Sequence, residues 1–223
     1  MYPDAVIFDF DGVIVDTEPI HYQVFQDILE PIGLGYTWDE YTRTYMGFDD
    51  RDAFREAFGA AGKTLTPDRL QELISQKAGI FEQVVSRGVT PYTGVIELIH
   101  ELSAKGIPLA ISSGALRSDI IPILEQLNIE HYFSHIVTAD DVPQSKPHPA
   151  SYLSAKEKLL ISFPDKLNSD SLVYAIEDTP AGIQSAKGAG LSVVAVTNSY
   201  QAEKLRQADV IVPSLEQLAT RFL

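Results

Sequence analysis

Cysteine is absent from this chain, which removes disulfides, thiolate metal sites and a cysteine nucleophile from consideration. Positive charge is scarce as well: 17 lysines and arginines stand against 31 aspartates and glutamates, for a formal net charge of -14. A surface of that sign repels nucleic-acid backbones and anionic lipid at long range, so neither is an expected partner. No apolar run approaches the roughly 20 residues needed to cross a bilayer. No basic leader with an apolar core and a cleavage site opens the sequence, and a soluble, cytoplasmic chain without membrane attachment is expected. Repeats, low-complexity tracts and a coiled-coil seam are missing too, so a monomer is expected.

What is present is an ordinary globular mixture, 45% apolar over 223 residues, enough for one domain with a smaller lobe. Short apolar runs read as buried strands at Ala5–Phe8, Pro108–Ile111, His135–Thr138, Leu172–Ile176, Ser192–Val196 and Asp209–Val212. Helical patterns separate most of them. Val95, Ile96, Leu98, Ile99 and Leu102 share one helix face, and Ile120, Ile121, Leu124 and Leu127 share another. Further helices are predicted from Pro149 to Leu160 and from Pro180 to about Gly188–Gly190. Alternating strands and helices with short joints imply an α/β fold, a doubly wound parallel sheet covered on both faces.

One stretch breaks the alternation. Between Thr17 and about Gly88 only helical stripes occur, first Phe25, Ile28, Leu29 and Ile32, later Leu70, Leu73, Ile74, Phe81, Val84 and Val85. The length exceeds that of a crossover. It is read as an all-helical cap, residues 16–88, inserted into a core formed by 1–15 and 89–223.

Ligands of open parallel sheets sit beyond the carboxyl ends of the strands, so the residues just past each strand carry the functional information. Asp9 and Asp11 come after the first strand, with Gly12 permitting a sharp turn. Two carboxylates so close repel each other unless a cation lies between them, and hard oxygen ligands suit Mg²⁺. A solvated surface turn accounts for a bare Asp-x-Asp about equally well. Ser112, Ser113 and Gly114 come after the second strand as a hydroxyl with backbone amides, an anion cradle or a simple helix cap. Lys146 comes after the third, flanked by Ser145 and Pro147, and Glu177 and Asp178 come after the fourth. Each segment alone has a bland explanation.

In their order and topology the four segments resemble the haloacid dehalogenase superfamily, specifically its members with a helical cap inserted after the first motif. The resemblance runs from about Ala5 to Val212. It implies a Rossmann-like core and a Mg²⁺-dependent phosphatase acting on a small phosphorylated metabolite, a sugar phosphate or a phosphoglycolate-like acid. It also implies roles. Asp9 becomes a transient aspartyl phosphate, and Asp11 moves the proton while its carbonyl binds the ion. Asp178 is a metal ligand, and Glu177 reaches the metal directly or through water. Ser112 binds a phosphoryl oxygen with help from Ser113 and Gly114, and Lys146 neutralises the charge on Asp9 and the transferring group. In the cap, His21, Gly47 and Lys77 are expected near substrate, whereas Tyr22, Phe25, Tyr45, Phe48, Phe54 and Phe58 are read mostly as core. A β-phosphoglucomutase-like mutase is the alternative. Such relatives place an arginine three residues after the cap glycine, where this chain has Asp50 with Arg51 next to it, so hydrolysis ranks first. A non-catalytic binding protein on the same fold ranks last.

Overall fold

The computed structural model describes residues 2–46 and 48–221. Six parallel strands form one sheet: β1 (Ala5–Phe8), β2 (Leu109–Ser112), β3 (Phe133–Val137), β4 (Val173–Glu177), β5 (Ser192–Val196) and β6 (Val210–Val212). Their spatial order is β3-β2-β1-β4-β5-β6. The strands expected from the apolar runs are all present, with β3 starting two residues earlier than its run. β1 lies at the centre and is buried on both faces, which is why Ala5–Phe8 reads as a continuous apolar run rather than an alternation.

Alternation appears instead in what each side of β1 touches. Val6 and Phe8 join the apolar cluster that includes Leu98 and Ile99 of α5 (Val95–Ala104) and Ile120, Ile123 and Leu124 of α6 (Arg117–Gln126). Ala5 and Ile7 join the opposite cluster, with Tyr152, Ala155 and Leu159 of α7 (Ala150–Ser162) and Ile183 and Ala186 of α8 (Pro180–Gly188). A two-residue strand period thus packs helices on both faces of the sheet. The final helix, α9 (Glu216–Arg221), closes the described chain.

Between β1 and α5, apart from the isolated bridges of Val15 with Asp11 and Pro91, the regular structure of the described residues is helical: α1 (Glu18–Leu29), α2 (Trp38–Glu40), α3 (Asp50–Ala60) and α4 (Pro67–Val85), with a 3-10 turn at Glu30–Ile32 and a π-helical turn at Tyr41–Tyr45. Capping side chains set three of the starts, Thr37 accepting from the Glu40 amide at 3.3 Å ahead of α2. Asp49 accepts from the Asp52 amide at 2.8 Å ahead of α3, and Thr66 accepts from Arg69 at 3.3 Å ahead of α4. Phe25, Ile28, Phe54, Phe58, Leu73 and Phe81 are buried in the core of this insertion. It forms a helical cap on the Rossmann-like sheet.

Several polar contacts hold the cap against the core. Ser145 donates to Asp49 at 2.6 Å, Arg51 donates to the Ala139 carbonyl at 3.2 Å, and Tyr200 donates to the Thr42 carbonyl at 3.3 Å. The most buried contact belongs to Lys77. Its ammonium lies 2.7 Å from Asp119 of α6 and 3.1 Å from Asp50 of α3, with the Phe81 ring centroid 4.6 Å away. Lys77 is 0% exposed. Burial opposes its charge, but Asp50 and Asp119 outweigh that and raise its pKa.

The expectation that Lys77 contacts substrate therefore meets a side chain already engaged by two carboxylates. The reason lies in the helix period: Leu73, Lys77, Phe81 and Val85 are spaced by four and share the buried face of α4. Replacing Lys77 alone strands two buried carboxylates. Lys77→Met is expected to destabilise the protein by about 3–5 kcal/mol, read as a fall in the urea midpoint, and a change under about 1 kcal/mol would contradict this role.

Candidate active site

The register of the sheet brings the strand-end residues level. Phe8 pairs with Ile111 on one side and with Ile176 on the other. The next residues, Asp9, Ser112 and Glu177, therefore reach the same height on three adjacent strands. The Asp9 amide continues the ladder by donating to the Ile176 carbonyl at 2.9 Å.

Lys146 links them. Its ammonium donates to the Ser112 carbonyl at 3.0 Å and to Glu177 Oε1 at 2.7 Å, and lies 2.8 Å from Asp9 Oδ1. Three acceptors match the three protons of the ammonium. Burial opposes its charge, yet Asp9 and Glu177 hold its pKa above that of an ordinary lysine. Glu177 is saturated in turn. Oε1 accepts from Lys146 and from the Tyr152 hydroxyl at 2.8 Å, while Oε2 accepts from the Asp178 amide, the Thr179 amide and the Thr179 hydroxyl at 3.1–3.3 Å. Room for this carboxylate comes from Gly182, where a Cβ would fall 1.9 Å from Glu177 Oε1.

Asp178 is 0% exposed. Its Oδ2 accepts from the Ser199 hydroxyl and its Oδ1 has no partner among the described residues. Gly12, at φ +77°, lets the loop after β1 approach; a Cβ there would fall 1.9 Å from Asp178 Oδ2. Asn198 fixes the same loop by donating to the Gly12 carbonyl at 2.7 Å. Burial raises the pKa of Asp9 well above the carboxylate range, Glu177 adds to this, and Lys146 only partly offsets it. Burial and the charges of Asp9 and Glu177 raise Asp178 likewise. Oxygens of Asp9, Glu177 and Asp178 lie within 4.8 Å of one another. Carboxylates this close and dry, one with an unpartnered oxygen, fit a hard divalent cation.

Asp11 is held from the cap side. Thr17 donates to its Oδ1, and His21 Nε2 lies 3.2 Å from the same oxygen. Burial alone would raise Asp11, but the His21 and Thr17 hydrogen bonds reverse the direction and lower its pKa. His21 also stacks on Phe81, ring centroids 4.5 Å apart. The Ser112 hydroxyl is buried without a partner among the described residues. Ser113 accepts from the Ala115 amide at 2.9 Å through its side chain, and so shapes the turn that exposes Gly114 and Ala115 to the cleft.

One cleft between core and cap is lined by Asp9, Asp11, Lys146, Gly114, Ala115 and Thr179 below and by Glu18, His21, Phe25, Tyr41, Tyr45, Phe48 and Asp50 above. The predicted core residues thus converge. Among cap residues, His21 reaches the cleft, Lys77 does not line it, and Gly47 lies outside the described residues. Of the aromatics, Phe54 and Phe58 are core, Phe25 and Tyr45 are buried core residues that also border the cleft, and Phe48, 43% exposed, lines it. Arg51 is bound to Asp49 and the Ala139 carbonyl and lines a separate groove with Ser145 and His148. It does not replace the arginine that Asp50 displaces. Tyr152, Asn198 and Ser199 join the site without belonging to any of the four segments. Asn198 and Ser199 lie just past the carboxyl end of β5, so extending the strand-end search to that strand locates them.

An acidic pair, a hydroxyl, a lysine and a second acidic pair at four strand ends beneath a helical lid define a capped, Rossmann-like hydrolase. The chain belongs to the haloacid dehalogenase-like hydrolase family, which it matches over residues 6–196. It is 30% identical over 189 residues to the phosphorylated carbohydrates phosphatase of Thermotoga maritima, covering 84% of this chain and 82% of that protein. It is also 30% identical over 224 residues to the β-phosphoglucomutase of Bacillus subtilis, covering 98% and 93%. The solved structure of CbbY from Rhodobacter sphaeroides in complex with phosphate shares the fold, with a TM-score of 0.84 at 23% identity over 97% of this chain and 96% of that one. Among the described residues no helix is long and apolar enough to cross a membrane.

The close approach at Gly182 yields a direct test. Gly182→Ala should push Glu177 off Lys146 and lower phosphoryl-transfer activity about 10²-fold with the far-ultraviolet circular dichroism retained. Unchanged activity would show that Glu177 does not position Lys146.

Proposed function

We propose that this chain is a phosphoric monoester hydrolase that moves the phosphoryl group of a small phosphorylated metabolite first to Asp9 and then to water. The observation that carries the reading is the pair of buried atoms on either side of Asp9 that have no partner among the described residues: Ser112 Oγ on β2 and Asp178 Oδ1 after β4. A transferring phosphoryl group and a cation are the species that satisfy such atoms together.

Asp9 and Asp178, with the Asp11 carbonyl, are the residues we assign to a Mg²⁺ ion. When bound, the ion supplies positive charge to the phosphoryl oxygens. Glu177 would have to release Lys146 or Tyr152 to join them, so its assigned part is to hold Lys146. In the first half-reaction an Asp9 carboxylate oxygen forms a bond to phosphorus as the bond to the ester oxygen breaks. The leaving oxygen takes a proton from the Asp11–His21 pair, in which His21 Nε2 lies 3.2 Å from Asp11 Oδ1. Ser112 Oγ and the amides near Gly114 donate to phosphoryl oxygens, and Lys146 offsets their charge beside Asp9. In the second half-reaction the same pair accepts a proton from water as its oxygen bonds to phosphorus. Asp9 is released together with inorganic phosphate.

The substrate classes proposed on this basis are sugar phosphates and phosphoglycolate-like acids, in keeping with relatives named for phosphorylated carbohydrates and for phosphoglycolate. The mutase alternative requires a second phosphate site, and the acidic upper cleft argues against one.

A screen of phosphorylated metabolites should release inorganic phosphate without isomerised product, and chelation by EDTA should abolish turnover. Asp9→Asn should cost at least about 10³-fold in kcat. Turnover that survives either treatment, or isomer formed without free phosphate, would overturn this reading.

A further inference from the structure

One residue of the upper cleft has a carboxylate oxygen that binds nothing among the described residues. Asp50 is 8% exposed and lines the cleft opposite Lys146. Its Oδ1 lies 3.1 Å from Lys77, but its Oδ2 is buried with no hydrogen-bond partner among the described residues. An unpaired acceptor of this kind costs free energy unless a ligand satisfies it. The second buried acid of the upper cleft is Glu18, which accepts a hydrogen bond from the Tyr41 hydroxyl. Lys77 is shared between Asp50 and Asp119, so the three groups together carry one negative charge when all are ionised. Lys146, the lysine that lines the cleft, is occupied below by Asp9 and Glu177. Burial raises the pKa of Asp50 against the pull of Lys77, the direction expected for a carboxylate short of a donor. Aromatic faces of Phe25, Tyr45 and Phe48 complete the walls. Such faces suit the C–H surface of a ring-shaped or polyhydroxylated molecule.

We propose that Asp50 is a specificity residue: its Oδ2 accepts a hydrogen bond from a donor on the leaving group, so the site favours phosphomonoesters of uncharged polyols over esters whose leaving group bears a second phosphate or a carboxylate. The inference rests on the phosphatase reading for its placement of the phosphoryl group, and it narrows that reading by setting aside phosphoglycolate-like acids. A second anion beside Asp50 and Glu18 meets like charge in a dry cleft, and a donor meets an empty acceptor.

The test uses two matched pairs, glucose 6-phosphate with glucose 1,6-bisphosphate and glycerol 3-phosphate with 3-phosphoglycerate. Hydrolysis by the wild type is compared with that of Asp50→Asn, and binding to the Asp9→Asn protein is measured by titration calorimetry. The member of each pair with the uncharged leaving group should have the higher kcat/KM and the tighter binding, by about tenfold or more. Asp50→Asn should shrink that ratio about tenfold, mainly through KM. Should Asp50→Asn fail to fold, the calorimetric ratio on Asp9→Asn decides. Hydrolysis with the anionic member preferred, or a ratio unmoved in Asp50→Asn, would overturn the role of Asp50 and leave the phosphatase reading standing. Absence of hydrolysis with the binding preference intact would reject the phosphatase reading and keep the role of Asp50. Failure of all four compounds to bind would overturn the role of Asp50 as well.

Discussion

Three carboxylates and one ammonium, all buried, set the terms for the rest of the molecule. Asp9, Glu177 and Asp178 against Lys146 leave an excess of two negative charges when all four are ionised, at the carboxyl ends of the adjacent strands β1 and β4. Such an excess away from water is expensive and normally drives protonation or the capture of a cation. The raised pKa values of Asp9 and Asp178 are the protein's response by itself. The surrounding scaffold keeps the arrangement together: glycines at 12 and 182 where any Cβ would collide with a carboxylate, Tyr152 and Thr179 on Glu177, and Ser199 and Asn198 reaching from the loop after β5.

The cap enters the chemistry through the first residues of its first helix. Thr17 and His21 both bind Asp11, so the carboxylate assigned to proton transfer takes its orientation from the part of the chain that leads into the lid. Lys77 ties that lid to α6 through Asp119 and also holds one oxygen of Asp50. One buried lysine thereby positions the lid and orients a carboxylate in the cleft. Placement of the cap and the polarity of the upper cleft share the same ion pairs.

Much of this was legible in the sequence because periodicity and topology are enough to locate strand ends. The short apolar runs identified the six strands, and the parallel order they implied put Asp9, Ser112, Lys146 and Asp178 at one end of the sheet. The helical stripes likewise announced a helical cap apart from the alternating pattern. What stayed hidden depends on side-chain packing that no pattern encodes. Lys77 sits on an apolar stripe with Leu73, Phe81 and Val85, yet a lysine there suggests a ligand contact until two carboxylates from other helices are found beside it. Tyr152 reads as a core aromatic of α7, and only its hydroxyl, reaching Glu177, gives it a part in the site. Asn198 and Ser199 look like any polar loop. Phe25 sits on the apolar stripe of α1, Tyr45 ends the π-helical turn and Phe48 lies in the loop ahead of α3, and they meet in the cleft wall only once the cap folds against the core.

The most direct test of the central claim, that Asp9 is the atom-bonding partner of the phosphoryl group within this charge cluster, is a crystal structure of the protein with Mg²⁺ and beryllofluoride, which mimics a carboxylate-bound phosphoryl group. Beryllium density bonded to an Asp9 carboxylate oxygen, with Ser112 and Lys146 on its fluorines, is the predicted result. Beryllofluoride bound elsewhere, or an Asp9 carboxylate that stays free in crystals where the magnesium is bound, would contradict the account.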